Sequence, residues 1–158
     1  MLGPGEAERL NFMTIDPKEF RETLGYFATG VTIITTLNNE GNPVGLTANS
    51  FSSLSLDPPL VLFCLDRKVV SFQAFHSNRH FAVNILGSDQ EHLSRRFARS
   101  GPEKWVGMEF EIWETGCPIF EGCIANMECD IDSVYEGGDH VVVWIRHGIH
   151  AAAAQSAG

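Results

Sequence analysis

Long hydrophobic runs are missing from this sequence. No apolar stretch approaches the roughly 20 residues that a membrane-spanning helix needs. The N-terminal stretch MLGPGEAERLNFM carries acidic residues and lacks the apolar centre of a secretory signal. We therefore expect a cytoplasmic protein without a membrane segment.

Positive charge is also scarce. The 158 residues include 11 Lys and Arg against 20 Asp and Glu, a net charge of −9, and no block rich in Lys and Arg stands out. Nucleic-acid binding depends on neutralising phosphates with basic side chains, so nucleic acid is excluded as an expected partner. An anionic ligand would have to be held by backbone N–H groups, hydroxyls and a few well-placed cations.

Metal-binding and disulfide patterns are absent. The four cysteines, Cys64, Cys117, Cys123 and Cys129, form no C-x-x-C pair, and the histidines show no ligand-like spacing. We expect reduced, mostly buried thiols and no metal site. The nucleotide fingerprints G-x-G-x-x-G and G-x-x-x-x-G-K-[ST] and the nucleophile elbow G-x-S-x-G are missing as well.

The segments that are present predict a mainly β domain. Strand-like runs include VTIITTL, LVLFCL (expected to be a central strand) and HFAVNIL, and two further strands surround a glycine-rich turn near residue 138. Short turns join several of them, which predicts an antiparallel barrel or strongly curled sheet with peripheral helices. We expect a flexible lead at 1–15, one domain at 16–147 and a disordered tail at 148–158.

Two helices carry recognisable start signals. Asp16 followed by Pro17 predicts the N-cap of a helix whose Phe20, Leu24 and Phe27 form one apolar face. Ser88 and Glu91 form an S-x-x-E capping box ahead of a second helix, in which Leu93 and Phe97 give the buried stripe.

One stretch, GLTANSFSSLSLDPP (45–59), is dense in small polar side chains, with four serines, a threonine and an asparagine. Backbone groups along an extended edge there would suit a planar heteroaromatic ring, and the hydroxyls of Ser50, Ser52 or Ser53 could hold a phosphate. The alternative is a polar turn with local hydrogen bonds. From the residues alone, both interpretations stay open.

The segment EGGDH (136–140) is the second feature. Its glycines permit a tight turn, and His140 then opens an apolar strand. A histidine in this place either contacts a substrate or pairs with a carboxylate or carbonyl group.

The motifs FATGVTIITT, GLTANSFSSLSLDPPLVLFCLDR, FAVNIL and GGDHVVVW occur in this order and resemble the flavin reductase family over about residues 16–147. The resemblance implies a homodimeric split β-barrel of the FMN-binding type that binds FMN or FAD without a covalent link. It also implies NADH (or NADPH) as hydride donor and transient delivery of reduced flavin to a monooxygenase. NADH is preferred over NADPH because no arginine cluster for a ribose 2′-phosphate is evident.

The resemblance also assigns residues. It implies that Thr47, Ala48, Asn49 and Ser50 line the isoalloxazine and that Ser53 reaches the ribityl chain or phosphate. Cys64 would lie at the end of the strand that passes under the ring. The remaining implied site residues are Arg67 and Ser71 on the phosphate side, Phe97 flanking the site, and His140 beside the nicotinamide as the catalytic residue.

Two functional alternatives share this barrel. One is a flavin-binding electron carrier or redox-sensing module without turnover, and the other is an oxidase of the pyridoxamine-phosphate type, which needs a more cationic phosphate site. The sequence also departs from the family after WIRHGIH, where a further strand rich in Leu and Tyr is expected but AAAAQSAG follows. A missing strand would leave an exposed sheet edge and alter the nicotinamide side.

Overall fold

The computed structural model describes residues 16–153. Seven strands form one sheet in the order β2-β1-β5-β8-β9-β4-β3, and two very short strands, β6 and β7, pair separately. The strands are β1 (Thr32–Leu37), β2 (Pro43–Ala48), β3 (Ser52–Leu56), β4 (Pro59–Asp66), β5 (His80–Ile85), β6 (Glu111–Ile112), β7 (Pro118–Ile119), β8 (Ala125–Gly137) and β9 (His140–Ala153).

Every strand pair in the main sheet is antiparallel. Three helices, α1 (Pro17–Gly25), α2 (Phe72–Ser77) and α3 (Glu91–Phe97), and two 3₁₀ turns, Ser88–Gln90 and Pro102–Trp105, complete the described elements. Mainly β structure with peripheral helices is therefore confirmed. The apolar β4 has neighbours on both sides but lies one strand from the end of the sheet, so its predicted central place is wrong.

Strand order and loop length together require the sheet to curl. Strands β2 and β3 lie at opposite ends of the strand order, yet only residues 49–51 connect them. In a flat seven-stranded sheet these edges would lie about 29 Å apart, because neighbouring strands are separated by roughly 4.8 Å. The connection from Ala48 to Ser52 spans at most about 15 Å, at 3.8 Å per residue. The two edges must therefore approach each other, as they do in a split barrel. We call residues 45–56, where the edges meet, the seam.

Aromatic side chains fill the inside of the curled sheet. Phe63, Phe75 and Phe81 are almost fully buried, and the ring of Phe81 lies 5.9 Å from that of Phe63 and 5.3 Å from that of Phe75. A second cluster lies under α3, where the ring of Phe97 is 4.9 Å from that of Trp105. This second cluster fixes the end of α3 against β2, close to the seam.

Buried polar side chains fasten the long connection between α3 and β8. The Glu128 carboxylate is fully buried and accepts hydrogen bonds from the backbone N–H groups of Glu114 (3.1 Å) and Thr115 (2.8 Å) and from the Thr115 hydroxyl. Asn84 Oδ1 accepts from Phe120 N and from Asn126 Nδ2, both at 2.8 Å. The connection therefore holds two short strands, β6 and β7, and follows a defined path.

The helix predictions are confirmed in position but corrected in detail. Asp16 Oδ1 accepts from the N–H groups of Lys18 (2.8 Å) and Glu19 (3.1 Å), as the N-cap prediction requires. The helix ends at Gly25, so the prediction that Phe27 lies on its apolar face is wrong, and no residue of the helix is buried.

The predicted Ser88–Glu91 capping box is wrong by one residue. Gln90 Oε1 instead accepts from Gly87 N at 3.0 Å, because the chain first makes a 3₁₀ turn. The buried stripe of Leu93 and Phe97 in the helix that follows is confirmed.

The last described strand extends beyond the predicted domain end. β9 continues to Ala153, which pairs with Ala125 of β8, so residues 148–153 are strand and the prediction of a disordered tail from 148 is wrong for them. Residues 154–158 of the predicted tail, and the predicted flexible lead at 1–15, lie outside the described residues.

Candidate functional site

The polar side chains of the seam are mostly used to close the barrel. Ser50 Oγ accepts from Cys64 N at 2.9 Å and donates to Cys64 O at 3.3 Å. The backbone pairing of β3 with β4 stops at Ser52 and Leu62. Beyond it, the Ser50 hydroxyl forms the two hydrogen bonds with Cys64 that the backbone of a paired strand residue would otherwise form. Ser50 therefore joins the seam to β4 through both backbone groups of one residue.

Thr47 fixes the other side of the seam. Its hydroxyl donates to Ser94 O of α3 at 2.7 Å, and the Thr32 hydroxyl donates to Ala48 O at 2.8 Å. These bonds connect residues far apart in the sequence, so the local polar turn suggested by composition does not describe them. Among the described residues of the seam, Ser52 does form a local hydrogen bond of this kind, since its hydroxyl donates to the adjacent Ser53 O at 3.2 Å.

A cavity of about 820 Å³ opens along the seam, between β2, β4, α2 and the end of α3. We call it the seam cavity. The residues of the seam and its supports that line it are Leu46, Thr47, Ala48, Asn49, Ser50, Cys64, Ser71, Phe97 and His140. Its size lies in the range of sites that enclose small organic ligands.

The lining suits a planar, mostly apolar ring with a polar edge. Ala48 is small and buried, and together with Leu46 and Phe97 it gives an apolar wall. Asn49 is exposed, with no side-chain hydrogen bond to other described residues, and it stands at the rim. An isoalloxazine, which has an apolar dimethylbenzene end and a carbonyl-rich pyrimidine end, fits this combination of wall and rim.

His140 lies at the mouth of the seam cavity as the first residue of β9. Its Nδ1 is 2.7 Å from Asp139 Oδ1. The backbone N–H of Arg67 donates to the backbone carbonyl of Asp139 at 3.2 Å, which fixes the turn between β8 and β9. The hydrogen bond and the nearby charge of His140 lower the pKa of the Asp139 carboxyl. An ionised Asp139 favours a proton on Nδ1, which leaves Nε2 available to another group.

The structure brings eight of the ten predicted site residues to this cavity, and it leaves out Ser53 and Arg67. Ser53 lies on β3 opposite Val61, with an exposed side chain. The Arg67 guanidinium forms an ion pair with Glu136 of β8, beyond the cavity mouth. The resemblance did not reveal this pair, because Arg67 and Glu136 are far apart in the sequence.

Several lining residues were missed, most clearly Arg99, Lys104 and Trp105. The signal was present in RRFARSGPEK (95–104), which holds four of the 11 Lys and Arg of the chain. The prediction that the chain lacks a block rich in Lys and Arg is therefore wrong for residues 95–104. The net negative charge of the whole chain does not show this local cluster of basic residues. The Lys104 ammonium is partly desolvated, which lowers its pKa, and it lies 5.8 Å from the centre of the Phe97 ring.

The cysteines are reduced, as expected. Burial raises the pKa of Cys129 to about 12 and also raises the pKa values of Cys117 and Cys123. These three thiols are therefore unreactive packing residues. Cys64 is half-buried and lines the seam cavity.

Within residues 16–153, no cluster of His, Cys, Asp and Glu has the arrangement of a metal site. The helices of the same part of the chain are all too short or too polar to cross a membrane.

Comparison with known proteins extends these observations. Residues 24–149 match the family described as flavin reductase like domain. The reductase subunit HsaB of a flavin-dependent monooxygenase from Mycobacterium tuberculosis is 45% identical over 130 residues, covering 82% of this chain and 69% of that protein.

Two solved structures agree. Nitrilotriacetate monooxygenase component B from Mycobacterium thermoresistibile superposes with a TM-score of 0.83 at 42% identity, covering 89% of this chain and 78% of that one. The NADH:FAD oxidoreductase SgcE6 from Streptomyces globisporus gives 0.80 at 39% identity, covering 88% and 85%. The antiparallel sheet is therefore the split barrel predicted from the sequence, and the chain belongs to the flavin reductase like domain family.

Proposed function

We propose that this chain is an NAD(P)H-dependent flavin reductase that binds FMN or FAD in the seam cavity and releases the reduced flavin to a partner monooxygenase. The single observation that carries the proposal is the cavity itself. It combines an apolar wall, a polar seam edge and a fixed histidine in a chain of this family. The similar proteins include a reductase subunit of a flavin-dependent monooxygenase and an NADH:FAD oxidoreductase.

A bound flavin supplies the electron-accepting ring, so the protein needs no strong acid or base of its own. The residues that would hold the ring are Ala48 and Phe97, which would pack against its apolar part, and the backbone of Asn49 and Ser50, which would meet its polar edge. Because Ser50 is fastened to Cys64, this edge is preorganised before ligand binding.

His140 positions the nicotinamide from the cavity mouth. Asp139 holds the imidazole through Nδ1, so Nε2 would bind the carboxamide or, when it carries a proton, would donate that proton to the reduced flavin. Ser71, on the α2 side of the cavity, is proposed to contact the flavin phosphate. Roles for Ser53 and Arg67 would require movement, and for Arg67 also the loss of the Glu136 ion pair.

The reductase is tested by following NADH absorbance with and without FMN, FAD or riboflavin. Oxidation that requires added flavin supports the proposal. Tightly bound, stoichiometric flavin without NADH oxidation would instead indicate an electron carrier or sensor. His140→Ala is expected to raise KM for NADH or lower kcat severalfold with flavin affinity unchanged. His76→Ala is the control, since His76 is exposed on α2 outside the cavity.

We also propose that the chain is a homodimer. Apolar side chains of α1 and of the turn that follows it are open to solvent, with exposed fractions of 51% for Phe20, 56% for Leu24 and 79% for Phe27. Large exposed apolar patches usually mark contact surfaces. Sedimentation should therefore give a dimer, and Phe27→Asp should shift it towards monomer, whereas a monomeric wild type would contradict this proposal.

A cytoplasmic location stays a prediction. Four reduced cysteines fit a reducing compartment.

A further inference from the structure

A second cavity, of about 600 Å³, lies beside the seam cavity, between α3 and the Pro102–Trp105 turn. We call it the cationic cavity. Its lining consists of His92, Arg95, Arg96, Arg99, Ser100, Glu103 and Lys104. Arg99, Ser100 and Lys104 line both cavities, so the two adjoin.

The charge of this cavity opposes that of the whole chain. Three arginines, one lysine and one glutamate line it, in a protein whose net charge is −9. Arg95 is paired with Glu91, with its Nη2 2.6 Å from Glu91 Oε1. The remaining excess of positive charge is unusual for a surface this acidic and is concentrated at the edge of the seam cavity.

The cations have different tasks. Arg96 holds the end of α3 to the Pro102–Trp105 turn, because its Nε donates to Lys104 O at 2.7 Å and its Nη2 donates to Val106 O. Lys104 Nζ donates to Arg99 O at 2.9 Å, which holds the ammonium above Phe97. Arg99 is exposed and has no ion-pair partner among the described residues. Arg99 and Lys104 are thus the cations available to a ligand.

The position of Lys104 is costly without an anion. Partial burial lowers its pKa, which means that the charged form is poorly solvated where it lies. A phosphate beside it would offset this cost, and Arg99 would add a planar donor group that matches phosphate oxygens.

We propose, resting on the proposed function, that the cationic cavity binds the diphosphate of a dinucleotide whose ring lies in the seam cavity. Both FAD and NADH carry a diphosphate, whereas FMN, riboflavin and reduced nicotinamide mononucleotide do not. Because the two cavities share three lining residues, a ligand in the seam cavity lies next to the cationic cavity. The site would give this chain a preference for dinucleotides over mononucleotides.

The test compares wild type with Arg99→Gln in two arms. The flavin arm measures Kd for FAD, FMN and riboflavin, and the nicotinamide arm measures KM for NADH, NADPH and reduced nicotinamide mononucleotide with riboflavin as acceptor. We expect a loss of about tenfold for the dinucleotide of one arm, equivalent to about 1.4 kcal/mol. The loss for the matching mononucleotide should be at least fivefold smaller. The arm that shows this difference identifies which dinucleotide is bound.

Two further variants sharpen the result. Lys104→Gln should reproduce the selective loss, and Arg79→Gln, an exposed arginine outside both cavities, should leave all six constants at wild-type values. The affinity of wild type for that dinucleotide should fall with added salt, and this dependence should weaken in Arg99→Gln.

Equal losses for dinucleotides and mononucleotides, or no loss in either arm, would overturn the inference. A loss confined to NADPH would also overturn it, because the cavity would then hold a 2′-phosphate. The proposed function would fail separately, if wild type neither bound riboflavin nor oxidised NADH in its presence.

Discussion

The hydroxyl of Ser50 offers the clearest test of how the seam is closed. It accepts from Cys64 N and donates to Cys64 O, two residues before β3 begins. The substitution Ser50→Ala removes both bonds without adding bulk. It leaves one backbone N–H and one carbonyl of β4 without their protein partner.

The expected loss follows from these two bonds. An intramolecular hydrogen bond contributes about 0.5–1.5 kcal/mol net, so two give about 1–3 kcal/mol. Ser50 is only half-buried, so water can partly replace the hydroxyl. We therefore expect Ser50→Ala to lower the free energy of unfolding by about 1–2 kcal/mol. Flavin affinity should fall as well, because the edge at Asn49 is no longer held.

Urea unfolding measures the stability, and quenching of flavin fluorescence measures the affinity. Ser52→Ala is the matched control, since its exposed hydroxyl donates only to the neighbouring Ser53 O. This control should lie within about 0.5 kcal/mol of wild type. If Ser50→Ala were as stable as Ser52→Ala and bound flavin equally well, the role of Ser50 in closing the seam would be refuted.

Three other predictions concern the rest of the molecule. Glu128→Gln should lower the free energy of unfolding by about 2 kcal/mol or more, because an amide N–H₂ would replace one of the oxygens that accept from Glu114 and Thr115; unchanged urea unfolding would contradict this. Carboxyl NMR titration should show the pKa of Asp139 below its usual range and returning towards it in His140→Ala, since His140 is the main cause of the shift. The pairing of the Asp139 carboxylate with His140 is thus complete above the ordinary aspartate pKa, and it is lost as the pH falls through the lowered pKa of Asp139. If His140→Ala left the pKa of Asp139 unchanged, this pairing would be refuted. A thiol reagent should label only Cys64 in the folded protein, and FMN should slow the reaction, because the other three thiols are buried; labelling unaffected by FMN would place the flavin elsewhere.

The elements that local sequence determines were predicted well. Asp16 and Pro17 located the start of α1, and the β-branched runs located β1 and β5. These signals depend on neighbouring residues only, so one sequence suffices to find them.

The site was predicted only in part, because its details depend on distant contacts. The seam motif located the cavity, but the composition of the motif could not show that Ser50 binds Cys64 and Thr47 binds Ser94. The Arg67–Glu136 ion pair and the approach of Arg99 to the cavity arise from tertiary structure in the same way. Helix α1 shows the reverse case, in which apolar residues at helical spacing in the sequence are not buried among the described residues.

The central claim is that one cavity holds the flavin and presents it to the nicotinamide. Anaerobic stopped-flow mixing of the flavin-loaded protein with NADH tests it directly, by following the loss of oxidised-flavin absorbance. We predict a loss that saturates with NADH and slows when the transferred hydrogen of NADH is replaced by deuterium. Flavin that remains oxidised after mixing, or that is reduced no faster than free flavin, would contradict the account.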